Sequence, residues 1–227
     1  MIKRLEWESN FFNKEIYTFD FLEEINFNLN RRRIYIKEVD FNLAVEKEKL
    51  KNLNFKHIDN SITLSKNIKR MKNTNLESIK SAKVKDFNKI KKIIKGMYKY
   101  SRFYEIESTK VDCFYEKWLE NAIKKNFDDI CFFIEENSEV LGFVTGKVEN
   151  KIGKIGLIGV NSKYRSQGLG KILLNKINDY FFENNCTKLL VSTQGKNKAA
   201  IKFYLKNDFE IYMKKSWFYL KERSEDD

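Results

Sequence analysis

The residues best suited to chemistry lie in one short segment between a predicted strand and a predicted helix. There, Arg165 is followed by Gly168 and Gly170 in the spacing Arg-x-x-Gly-x-Gly. Glycine lets the backbone approach a ligand closely, and the first turn of a helix offers unpaired N–H groups and a partial positive charge. Together these features suit a pyrophosphate. The segment therefore predicts a phosphate-binding loop.

Other phosphate-binding motifs fit this segment less well. A dinucleotide-binding loop requires a third glycine, but Leu173 stands at that position and the expected acidic residue further on is missing. The spacing of a P-loop fails as well. A glycine-bearing helix cap without a ligand is the structural alternative, and the arginine and the preceding strand favour a ligand.

Cysteine and histidine point away from metal and hydrolase chemistry. Cys113, Cys131 and Cys186 are an odd number, lie far apart and form no CxxC pair, so we expect buried, reduced thiols rather than metal ligands or disulfides. His57 is the only histidine, and no Gly-x-Ser-x-Gly motif is present to partner it. We therefore expect neither a metal site nor a serine-hydrolase triad.

Hydrophobic periodicity places the loop among alternating strands and helices. The predicted strands are residues 34–39, 61–64, 78–84, 130–135, 140–148, 154–160 and 188–192, with two short strands around residues 214–215. The predicted helices are residues 44–53, 86–98, 113–125, 169–184 and 198–207. This alternation predicts an α/β sandwich with a mixed central sheet.

A polar, charged stretch divides the predicted elements into two groups. Residues 66–75 lack apolar periodicity, so we expect a small N-terminal α/β domain over residues 1–72 and a second domain over residues 73–227. The one compact arginine cluster, Arg31 to Arg33, leads into an alternating apolar pattern and indicates the start of a strand.

Composition excludes several classes of protein. Of 227 residues, 42% are hydrophobic and 15% aromatic, which supplies a packed core and argues against disorder. No apolar segment reaches the ~18 residues of a membrane span, and the N-terminus does not match a secretory signal. We therefore expect a cytoplasmic protein without a membrane partner. The net charge of +12 comes mainly from lysines spread along the chain, so we expect no nucleic-acid partner.

The phosphate loop resembles that of the GNAT superfamily of acetyl-CoA-dependent N-acetyltransferases, which reads Arg/Gln-x-x-Gly-x-Gly/Ala. A second segment agrees, since Asn197, Ala200, Tyr204 and Phe209 match the family's Asn-x-x-Ala helix, its tyrosine and its Gly-Phe turn. Asp208 replaces the glycine of that turn. Because aspartate tolerates a left-handed backbone, we expect the turn to be kept.

This resemblance covers about residues 78–222 and implies a splayed central sheet flanked by helices, with acetyl-CoA as co-substrate. It places the thioester beside residues 158–160 and Tyr204 beside the sulfur, where the phenol can protonate the departing thiolate. Core packing is the alternative role for Tyr204. The GNAT resemblance implies these cofactor-binding residues: Ile158, Gly159, Val160, Arg165, Ser166, Gln167, Gly168, Leu169, Gly170, Lys171, Asn197 and Ala200.

A narrower resemblance begins at Trp7. The spacing Trp-Glu-Ser-x-Phe-Phe is similar to the opening of the dTDP-fucosamine acetyltransferases, which carry a small extra domain and acetylate a nucleotide-linked 4-amino-4,6-dideoxyhexose. The Ser-Arg-Phe segment ending at Phe103 and the aromatic residues 216–220 agree. This resemblance implies a nucleotide-linked amino sugar as substrate and Arg102 and Phe103 as substrate-binding residues. An ordinary salt bridge is the alternative for Arg102.

Several points are left open by the sequence. The candidate general bases are Glu105, Glu107, Asp112 and Glu135, each with a solvated surface role as the alternative, and none is assigned. Another primary amine, such as a peptide N-terminus, a polyamine or an antibiotic, is the alternative substrate. A non-catalytic basic binding module is the alternative class, and a homodimer is left open.

Overall fold

The computed structural model describes residues 1–20, 33–70 and 78–221. Its strands are β1 (Ile2–Arg4), β2 (Glu15–Phe19), β3 (Arg33–Asp40), β4 (Lys56–Asn67), β5 (Ile79–Ser81), β6 (Ile130–Glu136), β7 (Glu139–Glu149), β8 (Ile152–Val160), β9 (Lys188–Gln194) and β10 (Glu210–Lys221). Its α-helices are α1 (Glu6–Phe12), α2 (Ala44–Asn52), α3 (Phe87–Ile90), α4 (Val111–Ile123), α5 (Leu169–Glu183) and α6 (Lys198–Leu205).

These strands form one sheet in the order β1-β2-β3-β10-β4-β9-β8-β7-β6-β5. The pairs β2–β3 and β8–β9 are parallel, and the other neighbouring pairs are antiparallel. A mixed sheet flanked by helices confirms the predicted fold class.

Helices pack on both faces of this sheet because their apolar residues recur at helical spacing. On α5, Leu173, Ile177 and Phe181 are spaced four residues apart and fully buried against β7 and β8. On the other face, α1 and α4 contribute an aromatic cluster in which the rings of Phe12 and Phe114 stack 5.2 Å apart. Strand β8 therefore lies between the two cores, with Leu157 in one and Ile155 in the other.

Strands from both sides of the predicted domain boundary share this sheet. β4 lies between β9 and β10, and β3 pairs with β10 along its length. Leu64 of β4 is fully buried in the same core as α5 and α6. The boundary itself falls in residues 71–77, outside the described residues, so the division at residue 72 stays a prediction, and the sheet continues across it.

The helix predicted over residues 86–98 is not formed as one element. A 3₁₀ turn (Val84–Asp86), the short α3 and a second 3₁₀ turn (Lys91–Ile93) replace it. Gly96 has a left-handed φ of 67°, and its N–H bonds the carboxylate of Asp112 at 3.1 Å instead of a carbonyl one turn earlier. This bond ends the helical path and turns the chain toward the centre of the sheet.

Other expectations are corrected in detail. The two predicted C-terminal strands are one strand, β10, which carries a bulge between Ile211 and Met213. Cys113 is exposed on α4, whereas Cys131 and Cys186 are buried as expected. The first three elements, β1, α1 and β2, were not predicted from the sequence. Arg31 and Arg32 lie outside the described residues, and β3 begins at Arg33 as expected.

Candidate active site

The two parallel central strands, β8 and β9, separate part-way along their length. Their paired register ends at Ile155 of β8 and Val191 of β9, although the strands continue to Val160 and Gln194. β9 stays paired with β4 through Gln194, so it is the space between β8 and β9 that opens. The sheet is therefore splayed here, in agreement with the expected architecture.

A β-bulge in β8 lies where this gap begins. The register with β7 shifts between Ile155 and Ile158, so β8 carries one extra residue there. Gly156 is part of the bulge, and a Cβ on it would lie 2.5 Å from a carboxylate oxygen of Asp128. The N–H of Leu157 donates to the hydroxyl of Thr145 at 2.8 Å. Glycine inside an apolar strand is the sequence signal for such a bulge. The buried carboxylate of Asp128 beside it was not predicted from the sequence.

The backbone of β8 beyond the bulge presents polar groups to the gap. The N–H of Asn161 bonds the carbonyl of Leu141 in β7, and along an antiparallel strand the pairing direction alternates from residue to residue. The N–H and C=O groups of Ile158 and Val160 therefore face away from β7, into the gap. Between them, a Cβ on Gly159 would lie 2.0 Å from the sulfur of Met97, so Met97 covers this strand from one face.

The predicted phosphate loop follows directly at the end of β8. Ser166 and Gly168 have left-handed φ angles of 64° and 81°, and Gly168 is the N-cap of α5 with no side-chain cap on the helix. Consecutive N–H groups in such a turn form a concave donor surface at the positive end of the helix. The Nε of Arg165 donates to the carbonyl of Val160 at 3.3 Å and so ties the loop to the strand.

Within this loop, Gly170 has a different role from Gly168. A Cβ on Gly170 would lie 3.0 Å from the ring of Phe203, so its missing side chain lets α5 and α6 pack closely. A Cβ on Gly168 would meet nothing within 4 Å, and its φ is what requires glycine. Gln167, Leu169 and Lys171 belong to the same loop and first helical turn, with Leu169 buried in the core.

A basic pocket of about 670 Å³ adjoins the loop. Its lining includes Met97, Asn161 and six cationic side chains: Lys89, Lys92, Lys95, Lys99, Lys163 and Arg165. One carboxylate, that of Glu139, also lines the pocket and accepts a hydrogen bond from the Tyr164 hydroxyl. The balance of charge favours a polyanion such as a phosphorylated ligand.

Helix α6 follows β9 and holds Tyr204 in the core against which Ile158 and Val160 of β8 pack. The side chain of Asn197 caps α6 by accepting the N–H of Ala200 at 3.2 Å, and its amide group lies 3.4 Å from the hydroxyl of Thr193 at the end of β9. Tyr204 is 3% exposed, and burial raises the pKa of its phenol well above the ordinary value. The phenol is therefore neutral and able to donate a proton. Asp208 has a φ of 65°, which confirms the left-handed turn after α6.

A second tyrosine, Tyr98, packs on the opposite face of the sheet from Tyr204 and was not predicted as a site residue. The hydroxyl of Tyr98 is buried without a hydrogen-bond partner among the described residues, and its ring stacks on Tyr115 at 3.9 Å. Burial is the main cause that raises the pKa of Tyr98, and Tyr115 and Tyr204 raise it further. The helix predicted here gave no reason to expect this residue near Tyr204.

The two predicted substrate-binding residues lie together, and they differ in environment. Arg102 stacks on the ring of Trp217 at 4.1 Å, hydrogen-bonds the hydroxyl of Tyr219 and lies 3.9 Å from a carboxylate oxygen of Glu8. Phe103 is 5% exposed and packs against Phe114 in the aromatic core. Arg102 keeps 14% of its side chain exposed, so a ligand could reach only part of it.

Each of the four candidate general bases has a lysine or a backbone N–H as its partner. Glu135 pairs with Lys80 and Lys89, and these hydrogen bonds lower its pKa. The remaining three contact a lysine on the surface or a backbone amide: Glu105 with Lys221, Glu107 with Lys14, and Asp112 with the N–H of Gly96. His57 is exposed and bonds Asn60. In residues 1–20, 33–70 and 78–221, no group of three His, Cys, Asp or Glu side chains could hold a metal ion.

Comparison with known families shows the family to which the chain belongs. The family model described as the acetyltransferase (GNAT) family matches residues 96–209, which is half of the chain and includes the gap, the loop and Tyr204. The chain belongs to the GNAT family of acetyltransferases. Membership confirms the predicted family and makes acetyl-CoA the co-substrate of this GNAT domain.

Curated relatives of this GNAT domain differ in substrate. A dTDP-fucosamine acetyltransferase of Escherichia coli O6:H1 is 29% identical over 108 residues, 47% of this chain and 46% of the relative. The N-alpha-acetyltransferase 30 of Xenopus laevis is 30% identical over 84 residues, 35% of this chain and 31% of the relative. The aligned segments span less than half the length of either relative.

Solved structures of GNAT proteins share the fold at low sequence identity. A GCN5-related N-acetyltransferase from Sphaerobacter thermophilus has a TM-score of 0.60 at 10% identity, covering 85% of this chain and 61% of the other. The PaiA N-acetyltransferase of Thermoplasma acidophilum, in complex with coenzyme A, has a TM-score of 0.51 at 20% identity, covering 63% of this chain and 97% of the other.

In the part of this GNAT chain that the structure describes, no helix is both long and apolar enough to cross a membrane.

Proposed function

We propose that the protein transfers the acetyl group of acetyl-CoA to the amino group of a nucleotide-linked amino-dideoxy sugar, for surface polysaccharide or glycan biosynthesis in the cytoplasm. The observation that carries the transferase part is the gap between β8 and β9, which opens beyond Ile155, with Tyr204 buried in the core against which Ile158 and Val160 pack. The choice of acceptor rests on the 29% identity with a dTDP-fucosamine acetyltransferase over 108 residues and is the finer part of the proposal.

The cofactor would lie along β8. The left-handed turn at Ser166 and Gly168 and the N-terminus of α5 suit its pyrophosphate, and the cations of the adjoining pocket suit its remaining charge. From this loop the pantetheine arm can run along the free edge of β8, where Val160 and Ile158 offer backbone hydrogen bonds. The thioester then comes close to the bulge.

The reaction is attack of a neutral amine on the thioester carbonyl. The carbonyl oxygen gains negative charge, and a backbone N–H of β8 facing the gap can stabilise it without reorganisation. As the tetrahedral intermediate collapses, the carbon–sulfur bond breaks and Tyr204 donates its proton to the departing thiolate. The raised pKa keeps that phenol protonated at neutral pH, so the donor is present in nearly every molecule.

The acceptor would approach from the face that carries Arg102. This side chain lies among Trp217, Tyr219 and Glu8, which come from the C-terminal strand and from α1. A diphosphate could replace Glu8 as the anionic partner of Arg102, since the carboxylate is 3.9 Å away and the contact is loose. The N-terminal elements therefore form one wall of the proposed sugar site.

Two measurements test this function. Calorimetry should detect acetyl-CoA binding that Gly168→Val weakens, and an undetectable heat with the parent protein would sink the transferase proposal. A panel with radiolabelled acetyl-CoA, including dTDP- and UDP-linked 3-amino and 4-amino sugars, identifies the acceptor. Labelling of none of these sugars, with labelling of another amine, would refute the sugar part alone.

A second candidate is acetylation of a peptide N-terminus. It is favoured by the 30% identity with N-alpha-acetyltransferase 30 over 84 residues. A tripeptide with a free N-terminus therefore belongs in the same panel. The N-terminal elements distinguish the two functions, because a peptide acceptor gives no reason for a diphosphate to reach Arg102.

A further inference from the structure

A buried carboxylate lies at the point where the gap between β8 and β9 begins. Asp128, which precedes β6, is 6% exposed, and its two carboxylate oxygens lie 2.5 and 2.8 Å from the position that a Cβ on Gly156 would take. Gly156 is the residue after Ile155, the last residue of β8 that pairs with β9. The carboxylate therefore occupies the space that a side chain on the bulge would fill.

Among the described residues, Thr145 is the hydrogen-bonding partner of this carboxylate. The hydroxyl of Thr145 hydrogen-bonds the carboxylate and also accepts the N–H of Leu157, which holds the bulge in place. Oδ2 is fully buried and has no hydrogen-bond partner among the described residues. An unpaired buried carboxylate oxygen is costly, and such an atom calls for a ligand.

The position of Asp128 relative to the gap is set by the two faces of the sheet. Leu157 packs with the aromatic core of α1 and α4, while Ile155 and Ile158 pack with α5 and α6, so the bulge turns Gly156 and Asp128 toward the first face. Tyr204 packs with α5 and α6 on the second face. From Val160 back to Gly156 is ~13 Å along the strand, a span comparable with an extended pantetheine arm.

We propose that Asp128 is the general base of the acetyl transfer and takes the proton that the attacking amine loses. The inference holds for any primary amine and does not depend on the sugar. Nitrogen forms its bond to the carbonyl carbon, and one N–H proton passes to Oδ2 of Asp128. The carbon–sulfur bond then breaks, and the thiolate receives the proton of Tyr204. Solvent returns the proton from Asp128 to the tyrosinate, so the cycle closes.

The charges around Asp128 suit this role. Burial is the main cause that raises its pKa and the neighbouring carboxylate of Asp129 adds to it, whereas the Thr145 hydrogen bond and Lys147 oppose the rise. The thiol of Cys131 also lies near Asp128. Burial, with a smaller contribution from the carboxylates of Asp128 and Asp86, holds the pKa of that thiol well above the ordinary value, so it stays neutral. A carboxylate with a raised pKa is a stronger base than an exposed one and accepts an ammonium proton more readily.

The test compares Asp128→Asn with Asp129→Asn. Asparagine keeps the shape of Asp128 and can still bond Thr145, so the bulge is retained while the base is lost. Asp129→Asn makes the matched control, because it removes the same charge one residue away, where the carboxylate accepts the N–H of Val148 and acts on Asp128 only through its charge. The assay follows thiol release with dTDP-4-amino-4,6-dideoxygalactose and, in parallel, a tripeptide with a free N-terminus.

We expect Asp128→Asn to lower kcat by at least ~100-fold with the KM for acetyl-CoA within about threefold of the parent. The acid limb of the kcat profile should disappear in Asp128→Asn. Asp129→Asn should keep kcat near the parent value and retain the acid limb, shifted to lower pH because the Asp129 carboxylate helps to raise the pKa of Asp128. A kcat within a few-fold of the parent, or an unchanged acid limb, would overturn the assignment. Acetylation of the tripeptide alone would contradict the sugar acceptor and leave this test intact.

A stability measurement tests the raised pKa of Asp128 without any acceptor. Because the folded pKa of Asp128 is raised, ionising it destabilises the fold as the pH rises through the interval between its unfolded and folded pKa values. Asparagine carries no such penalty. The Tm of Asp128→Asn relative to the parent should therefore rise between pH 4 and pH 7.5, by about 3–5 °C for each unit of pKa shift. A relative fall would mean that the charged carboxylate stabilises the fold, and the proposal would be wrong.

Discussion

The phosphate loop and the Arg102 cluster are assembled in opposite ways. The loop is one contiguous stretch from Val160 to Lys171, set by two left-handed residues and a helix start. The Arg102 cluster gathers Glu8, Trp217 and Tyr219 around an arginine more than 90 residues from any of them. A contiguous site depends on local backbone conformation, whereas a dispersed one depends on the order of strands in the sheet.

The largest expected effect comes from removing the N-terminal residues. A fragment of residues 71–227 lacks β1 to β4 and leaves β9 and β10 without the strand that lies between them. It also exposes the core that Leu64 and Ile62 fill. We expect this fragment to be insoluble and to lose both the phosphate loop and the Arg102 cluster. Soluble expression and size-exclusion chromatography measure this outcome.

The outcome separates the two descriptions of the chain. A soluble 71–227 fragment that binds acetyl-CoA by calorimetry would show that residues 1–72 are an independent domain, as the sequence predicts. Full activity of that fragment on the amino sugar would in addition contradict the proposed sugar wall.

Sequence was informative where chemistry and local conformation coincide. Gly168 at a left-handed helix start, Asp208 at a left-handed turn and the apolar repeat of α5 are all encoded within a few residues. The insertion of β4 between β9 and β10 is not encoded locally, because strand order depends on which apolar faces bury each other across more than 100 residues. For the same reason Asp128, which precedes a strand like any turn residue, showed no sign of reaching the bulge at Gly156.

Tyr204→Phe should have the next largest effect. It removes one hydroxyl from a buried ring, so packing changes little, while the leaving thiolate loses its proton donor. We expect kcat to fall by ~10²-fold or more with the KM for acetyl-CoA near normal. Because burial raises the pKa of Tyr204, the parent rate should show no alkaline loss from this group up to about pH 10.

The matched control is Tyr180→Phe on α5, where the ring packs on Phe132 away from the gap. Both variants remove a single phenolic hydroxyl. Similar, small effects of the two would return Tyr204 to a packing role and leave water as the proton donor.

Gly168→Val tests the contiguous site. A β-branched residue is strained at a φ of 81°, so the loop must change its conformation at a cost of ~1–3 kcal/mol. We expect the KM for acetyl-CoA to rise about 10- to 100-fold, while circular dichroism shows the fold kept. Asn185→Val places the same strain, at a φ of 57°, at the opposite end of α5 and should leave KM unchanged. Equal KM values for the two variants would contradict the phosphate role.

The smallest effects come from two arginine variants, and together they sharpen the contrast between the sites. Arg102→Met keeps an unbranched apolar side chain beside Trp217 but removes the guanidinium that a diphosphate would meet. A charge-assisted hydrogen bond is worth ~1.5–3 kcal/mol. We expect the KM for the nucleotide sugar to rise about tenfold and that for acetyl-CoA to stay constant.

Arg165→Ala should raise the KM for acetyl-CoA by a few-fold and leave the KM for the sugar unchanged. The effect is smaller because backbone N–H groups carry most of the phosphate contact and this side chain bonds the carbonyl of Val160. If both variants changed the KM for acetyl-CoA and neither changed that for the sugar, Arg102 would serve only to join α1 to β10, and the acceptor would have to bind elsewhere on that face.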